Sequence, residues 1–145
     1  MKLFTIGFTR KTAEVFFTHL QKSGVSRLVD VRLNNVSQLA GFAKRDDLRY
    51  FLRSLCGMDY IHALDLAPTA EILDPYKKRQ SDWPTYEHQF LDLMRARQIE
   101  SSLSPSLLDN TCLLCSEEKP HHCHRRLAAE YLSRHWPGVE IVHLG

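Results

Sequence analysis

The chain has 145 residues, 43% hydrophobic and 25% charged, with only six Gly and six Pro. Such a length buries roughly two-thirds of the unfolded surface, which excludes a disordered, collagen-like or fibrous chain. Nineteen Lys and Arg against 17 Asp and Glu leave a net charge of +2, too small to imply nucleic-acid binding from overall charge. No apolar run approaches the ~20 residues that span a bilayer, and Met1-Lys2-Leu3-Phe4-Thr5 lacks a signal-peptide core. Four cysteines without an export signal read as reduced thiols, not a disulfide framework. A cytoplasmic protein with no membrane partner is expected.

Lys2 to Gly7 reads as a short strand closed by glycine. Thr12 is placed to cap a helix whose apolar Ala13, Phe16, Phe17 and Leu20 recur at helical spacing and which ends at Ser23-Gly24. Val25 to Val31 is a second strand. From Asp46 to Cys56, Leu48, Phe51, Leu52 and Leu55 predict an amphipathic helix stopped by Gly57. Met58 to His62 is a third strand. A helix begins near Asp82 with Pro84 in its first turn and buries Tyr86, Phe90, Leu93 and Met94. Thr111 to Leu114 is a fourth strand. Leu127, Ala128, Tyr131 and Leu132 mark a last helix, ended by Pro137-Gly138, and Val139 to His143 is a fifth strand. This alternation predicts an α/β fold: one three-layer α/β/α domain over residues 1–145 with a mostly parallel five-stranded sheet. Two connections, Arg32 to Lys44 and Ala63 to Ser81, are long enough to be functional or mobile.

In open α/β sheets ligands bind outside the carboxyl ends of the strands. Thr5, Gly7 and Thr9 mark the first exit. Asp30 and Arg32 mark the second, and at i, i+2 they share a face and can pair. Tyr60 and His62 follow at the third, Cys115-Ser116-Glu117-Glu118 at the fourth and His143 at the fifth. Polar residues at so many exits suggest a shared crevice. The plainer alternative is a structural ion pair with a hydrogen-bonded core histidine.

The run from Cys112 to Arg126 is the richest in chemistry. Cys112 and Cys115, with Cys123 and His124, have the look of a zinc set. Yet residues three apart on a strand face opposite ways, and neighbours on a helix point about 100° apart. That geometry argues against four-ligand zinc. A helix beginning near Pro120 would instead offer free N–H groups beside His124 and Arg125, an anion site. A phosphatase loop does not fit, because the sixth residue after Cys115 is His121. No nucleophile elbow or Gly-rich phosphate loop occurs. Cys115 stays open as a nucleophile activated by the helix N-terminus and a nearby His, and Cys112 reads as a small buried hydrophobe.

Thr5-Ile6-Gly7, Leu28-Val29-Asp30-Val31-Arg32, Gly41-Phe42, Tyr60-Ile61-His62, Leu113-Leu114-Cys115-Ser116-Glu117, Cys123-His124-Arg125-Arg126 and His143-Leu144 together resemble the domain-of-unknown-function family 488. The likeness runs through essentially the whole chain in order. Many members carry Leu-Gly-Gly after the third strand; here Asp65-Leu66-Ala67-Pro68-Thr69 stands instead, which resembles a subgroup pattern. The resemblance implies a small cytosolic α/β domain with a polar site and supplies no reaction. Asp-Val-Arg at a strand end is also similar to rhodanese domains. However, Cys115 opens no compact loop of that kind, and two glutamates follow it.

Basic clusters occur at Lys44-Arg45, Lys77-Lys78-Arg79 and Arg125-Arg126. They are either solvated faces or, with Phe42, Tyr76 and Trp83, a charged and aromatic rim for a nucleotide or single-stranded nucleic acid. The expected function is therefore an enzyme or ligand-binding domain for a phosphorylated, nucleotide-like or nucleic-acid substrate. Asp30, Arg32, His62, Cys115 and Glu117 are the candidate catalytic residues. Arg32 and Arg125 hold the anion, Asp30 orients Arg32, Glu117 and His62 handle protons, and Cys115 lines the pocket. Gly7, Thr9, Phe42, Tyr76, His124 and Arg125 are candidate binding residues. No metal ligand is expected on this reading, and cofactor and oligomeric state stay open. One alternative is a metal-binding or thiol-redox module using Cys115, Cys123 and His124; another is a non-catalytic interaction module.

Overall fold

A computed structural model describes residues 1–36 and 40–145. Five strands form one sheet: β1 Lys2–Gly7, β2 Arg27–Asp30, β3 Asp59–His62, β4 Thr111–Cys115 and β5 Glu140–His143. Their order is β3-β2-β4-β1-β5, and every pair is parallel. Side chains alternate between two buried layers. Leu113 and Cys115 of β4 face one core, while Cys112 and Leu114 face the other. All five β4 residues are buried, as a parallel strand covered on both faces requires.

One face is covered by α1 (Ala13–Ser23) and α2 (Arg45–Phe51). The Thr12 hydroxyl caps α1 by accepting from the Val15 N–H at 3.1 Å, and Gly24 ends it at φ 72°. The other face carries α3 (Ala70–Lys77), α4 (Trp83–Arg97), the single turns α5 (Ile99–Ser102) and α6 (Pro105–Leu108), and α7 (His124–His135). Asp82 caps α4 through a 3.0 Å bond from the Thr85 N–H.

Three elements depart from the sequence reading. The helix expected over Asp46 to Cys56 is α-helical only to Phe51, and Leu52–Cys56 form a π-helical turn. The wider turn rotates the apolar stripe, so Leu55 faces solvent. The long connection Ala63 to Ser81 contains a 3₁₀ turn over Leu64–Leu66 and all of α3. Pro75 hid α3, because it removes a helical N–H donor in a segment with no fully buried residue. The last helix starts at His124 instead of near Pro120. Cys123 is its N-cap in extended backbone (φ −136°, ψ 138°), and residues 120–123 form a turn. In the other long connection, Gly41–Ala43 form a 3₁₀ turn, and residues 37–39 lie outside the described residues.

The strand order locates the crevice. The connection leaving β2 runs to β3 at one edge, whereas the connection leaving β4 runs the other way, past β1 to β5. Neighbouring strands whose connections diverge leave a cleft beyond their carboxyl ends. Here that cleft lies between Asp30 and Cys115.

Candidate functional site

Beyond β2 the chain places a buried ion pair. Arg32 Nε and Nη2 donate to Asp30 Oδ1 and Oδ2 at 2.9 and 2.8 Å, and Nη2 also donates to the Ala43 carbonyl at 2.8 Å. The Tyr60 hydroxyl donates to Asp30 Oδ2 at 2.6 Å and accepts from Asn35 Nδ2 at 3.0 Å. Burial, then the Asp30 charge, holds the Tyr60 hydroxyl far above the usual phenol range. Asp30 is 0% exposed and Arg32 3%. The guanidinium also lies 5.4 Å from the Phe8 ring centre. Among the described residues its Nη1 has no hydrogen-bond partner.

Across the cleft, β4 ends on Cys115, and the N-cap and first residue of α7 bring Cys123 and His124 to it. Their ligand-type atoms all lie within 4.8 Å of one another, and all three residues are buried. His124 Nε2 lies 2.6 Å from the Val31 carbonyl, which can only accept, so Nε2 carries the proton. Nδ1 is left with a lone pair, and Cys115 Sγ lies beside the ring, 3.5 Å from Nδ1 and 3.7 Å from Nε2. The Cys115 thiol is lowered by the Cys123 side chain, the Ser116 N–H and the Arg125 charge, against the opposing effect of burial. Cys123 is pushed up, first by burial and then by Cys115. Cys112 stands on the opposite face of β4, where burial raises its thiol. The alternation argument thus separates Cys112 from the others. The expected divergence of Cys123 from His124 does not occur, because Cys123 precedes the helix.

Arg125 is fully buried and turned away from the cleft. Its Nη1 and Nη2 donate to the Glu117 and Glu118 carbonyls at 2.7 and 3.4 Å, and its Nε donates to Thr5 Oγ1 at 3.3 Å. The guanidinium thus pins the loop after β4 over Gly7.

A cavity of about 90 Å³ opens here, walled by Arg32, Tyr76, Cys115, Glu117 and His124 among the expected site residues. Asp30 lies behind it as the partner of Arg32. His62 meets the Arg32 carbonyl through Nε2 at 2.6 Å, outside the wall. Gly7 lies beneath the 117–118 loop, and Thr9 lines a separate shallow depression. Phe42 packs against Phe16 and Phe17 across the sheet, with ring centres 5.3 and 5.9 Å apart. It therefore stacks on core rings and does not reach the cleft. Sequence reasoning missed Tyr86 and His122 in the wall, while Lys77, read as part of a basic cluster that could rim the crevice, does line it. Tyr86 looked like an ordinary core position of α4. The signal for His122 was position alone, beside the aromatic cluster where Trp83 stacks on it with ring centres 4.9 Å apart.

Among the described residues no helix is long and apolar enough to cross a membrane. The family model described as "Domain of unknown function DUF488" matches residues 12–132. No curated protein and no solved structure matches the chain.

Proposed function

The chain belongs to the DUF488 family, and from that premise we propose that the cleft between β2 and β4 binds a phosphorylated or similarly anionic small molecule. Arg32 carries the reading. Nε and Nη2 are committed to Asp30 and Ala43, while Nη1 is buried with no partner among the described residues, in a side chain that walls the cavity. Asp30 fixes the plane of the guanidinium, so an anion meets a donor that is already oriented. A cavity of about 90 Å³ has room for a phosphoryl head. The remainder of the ligand extends past Tyr76 and His122, whose rings line the wall and offer a flat group a surface to stack on. With Phe42 across the sheet, the aromatic surface suits a small molecule better than a nucleic-acid strand. Glu117 is the wall carboxylate placed to take a proton, and His62 acts on the site only through the Arg32 carbonyl.

We also infer a single domain over residues 1–145, since residues 2–5 pair with residues 140–143. A cytoplasmic location accords with four free thiols. Leu66-Ala67-Pro68-Thr69 is read as the mark of a subgroup.

Thermal unfolding in the presence of inorganic phosphate, pyrophosphate and nucleoside monophosphates tests the anion site. Ligand at about 100 times its dissociation constant adds roughly 2.7 kcal/mol. Arg32→Lys, which lacks the planar fork, is expected to remove the shift, with folding checked by circular dichroism. No shift with any of these anions, or an equal shift in Arg32→Lys, overturns the reading.

A further inference from the structure

We propose that Cys115 Sγ, Cys123 Sγ and His124 Nδ1 bind one thiophilic divalent cation, zinc foremost, and leave its fourth coordination position open to the cleft. This goes beyond anion binding at Arg32 and does not depend on it.

Tetrahedral zinc holds sulfur at ~2.3 Å and imidazole nitrogen at ~2.0–2.1 Å, which sets the two ligand atoms about 3.6 Å apart. Cys115 Sγ lies 3.5 Å from His124 Nδ1 and 3.7 Å from Nε2, and one ligand atom from each of the three residues falls within 4.8 Å of the other two, so the set comes within reach of one ion once the ring turns its Nδ1 lone pair toward it. The histidine tautomer matches as well. A metal-bound imidazole usually donates its other N–H to a carbonyl or carboxylate, which fixes the ring. His124 does this from Nε2 to the Val31 carbonyl at 2.6 Å, and its ring lies 5.4 Å from that of Phe90. The three ligands sit on β4, on an N-cap and on the first residue of α7, so the sheet and helix bring the three side chains together before any ion arrives, and only the imidazole has to turn.

Two soft thiolates and one imidazole select zinc or ferrous iron over magnesium or calcium. Three protein ligands mark an open site, as catalytic zinc centres have. All three residues also wall the cavity, so the open position faces solvent or a bound oxyanion. As each S–metal bond forms, the thiol gives its proton to solvent, so loading releases protons.

The test uses the full chain, stripped with a chelator and titrated with Co²⁺ and then with Zn²⁺. One Co²⁺ per chain is expected, with sulfur-to-cobalt charge-transfer absorption and visible bands of four-coordinate strength that Zn²⁺ displaces. Cys115→Ser, Cys123→Ser and His124→Ala should each abolish those bands, while Cys112→Ser and Cys56→Ser keep them. Cys123→Ser is the safeguard against misfolding, because serine is a favoured N-cap residue. Co²⁺ uptake well below one per chain, or thiolate bands that survive Cys123→Ser, overturns the site. Inorganic phosphate added to the Co²⁺ form should shift the visible bands. Unchanged bands overturn the open position. Cobalt binding with Arg32→Lys in place separates this site from the anion reading, since the metal bands should persist there.

Discussion

The α-carbon of Gly7 faces the Glu117 carbonyl so closely that a Cβ at position 7 would stand 1.6 Å from its oxygen. The same carbonyl accepts from Arg125 Nη1 at 2.7 Å. The absent side chain of one residue therefore determines where the loop after β4 lies, and Arg125 holds it there. Gly7→Ala should displace residues 116–118 and cost about 1–3 kcal/mol or more, as overpacking against backbone does. Urea denaturation measures the cost; an unchanged midpoint would show that the loop yields freely.

Arg125 has a structural post, and its substitution should read out as stability. Removing it strips donors from Glu117 and Glu118 carbonyls and from Thr5. The Thr5 bond is buried and the two carbonyl bonds partly so; a buried acceptor left unpaired costs roughly 1–3 kcal/mol, and with the loss of a fully buried side chain Arg125→Ala is expected to be strongly destabilising. Arg134→Ala, on a side chain 63% exposed near the far end of α7, should stay within about 0.5 kcal/mol. Equal losses for the two variants would mean that net charge alone is at work.

His143 gives the fold an acid-sensitive edge. Its imidazole pairs with Thr5 Oγ1 through Nδ1, and burial followed by the Arg125 charge lowers its pKa below 6.5. The folded state thus resists a proton that the unfolded chain accepts at about 6.5. Above that value His143 is neutral in both states and costs nothing. As pH falls through it, stability is lost until the folded imidazole itself protonates. His143→Gln should flatten the decline in unfolding free energy between pH 7.5 and 5.5, measured in urea against the parent chain. A decline of equal slope in both proteins would acquit His143.

Much of this architecture is written in local pattern. Thr12 and Gly24 bound α1 because a hydroxyl cap and a left-handed glycine are local requirements. The Asp30–Arg32 pair follows from period two at a strand end. What local pattern does not carry is which face of the sheet a segment joins. Phe42 and Tyr76 both lie in connections beyond strand exits, yet Phe42 packs with α1 and Tyr76 with the cleft. That outcome depends on strand order, a property of the whole chain. Cys123 shows a second limit. Pro120 advertises a helix start, but the turn over 120–123 delays it, and this delay brings the second thiol round to Cys115. Pro75 misleads in the opposite sense, signalling a break inside a helix that forms regardless.

The place of β1 between β4 and β5 has a consequence for how the polypeptide is made. Lys2 to Gly7 are made before the other four strands, yet their neighbours in the sheet are residues 111–115 on one side and 140–143 on the other. Pairing over such separations is slow to establish. A nascent chain carries Leu3, Phe4 and Ile6 as an unpaired apolar strand through most of its synthesis, the kind of segment that chaperones shield and that seeds aggregates. Breaks in translation before residue 111 should therefore yield insoluble fragments instead of a smaller working domain.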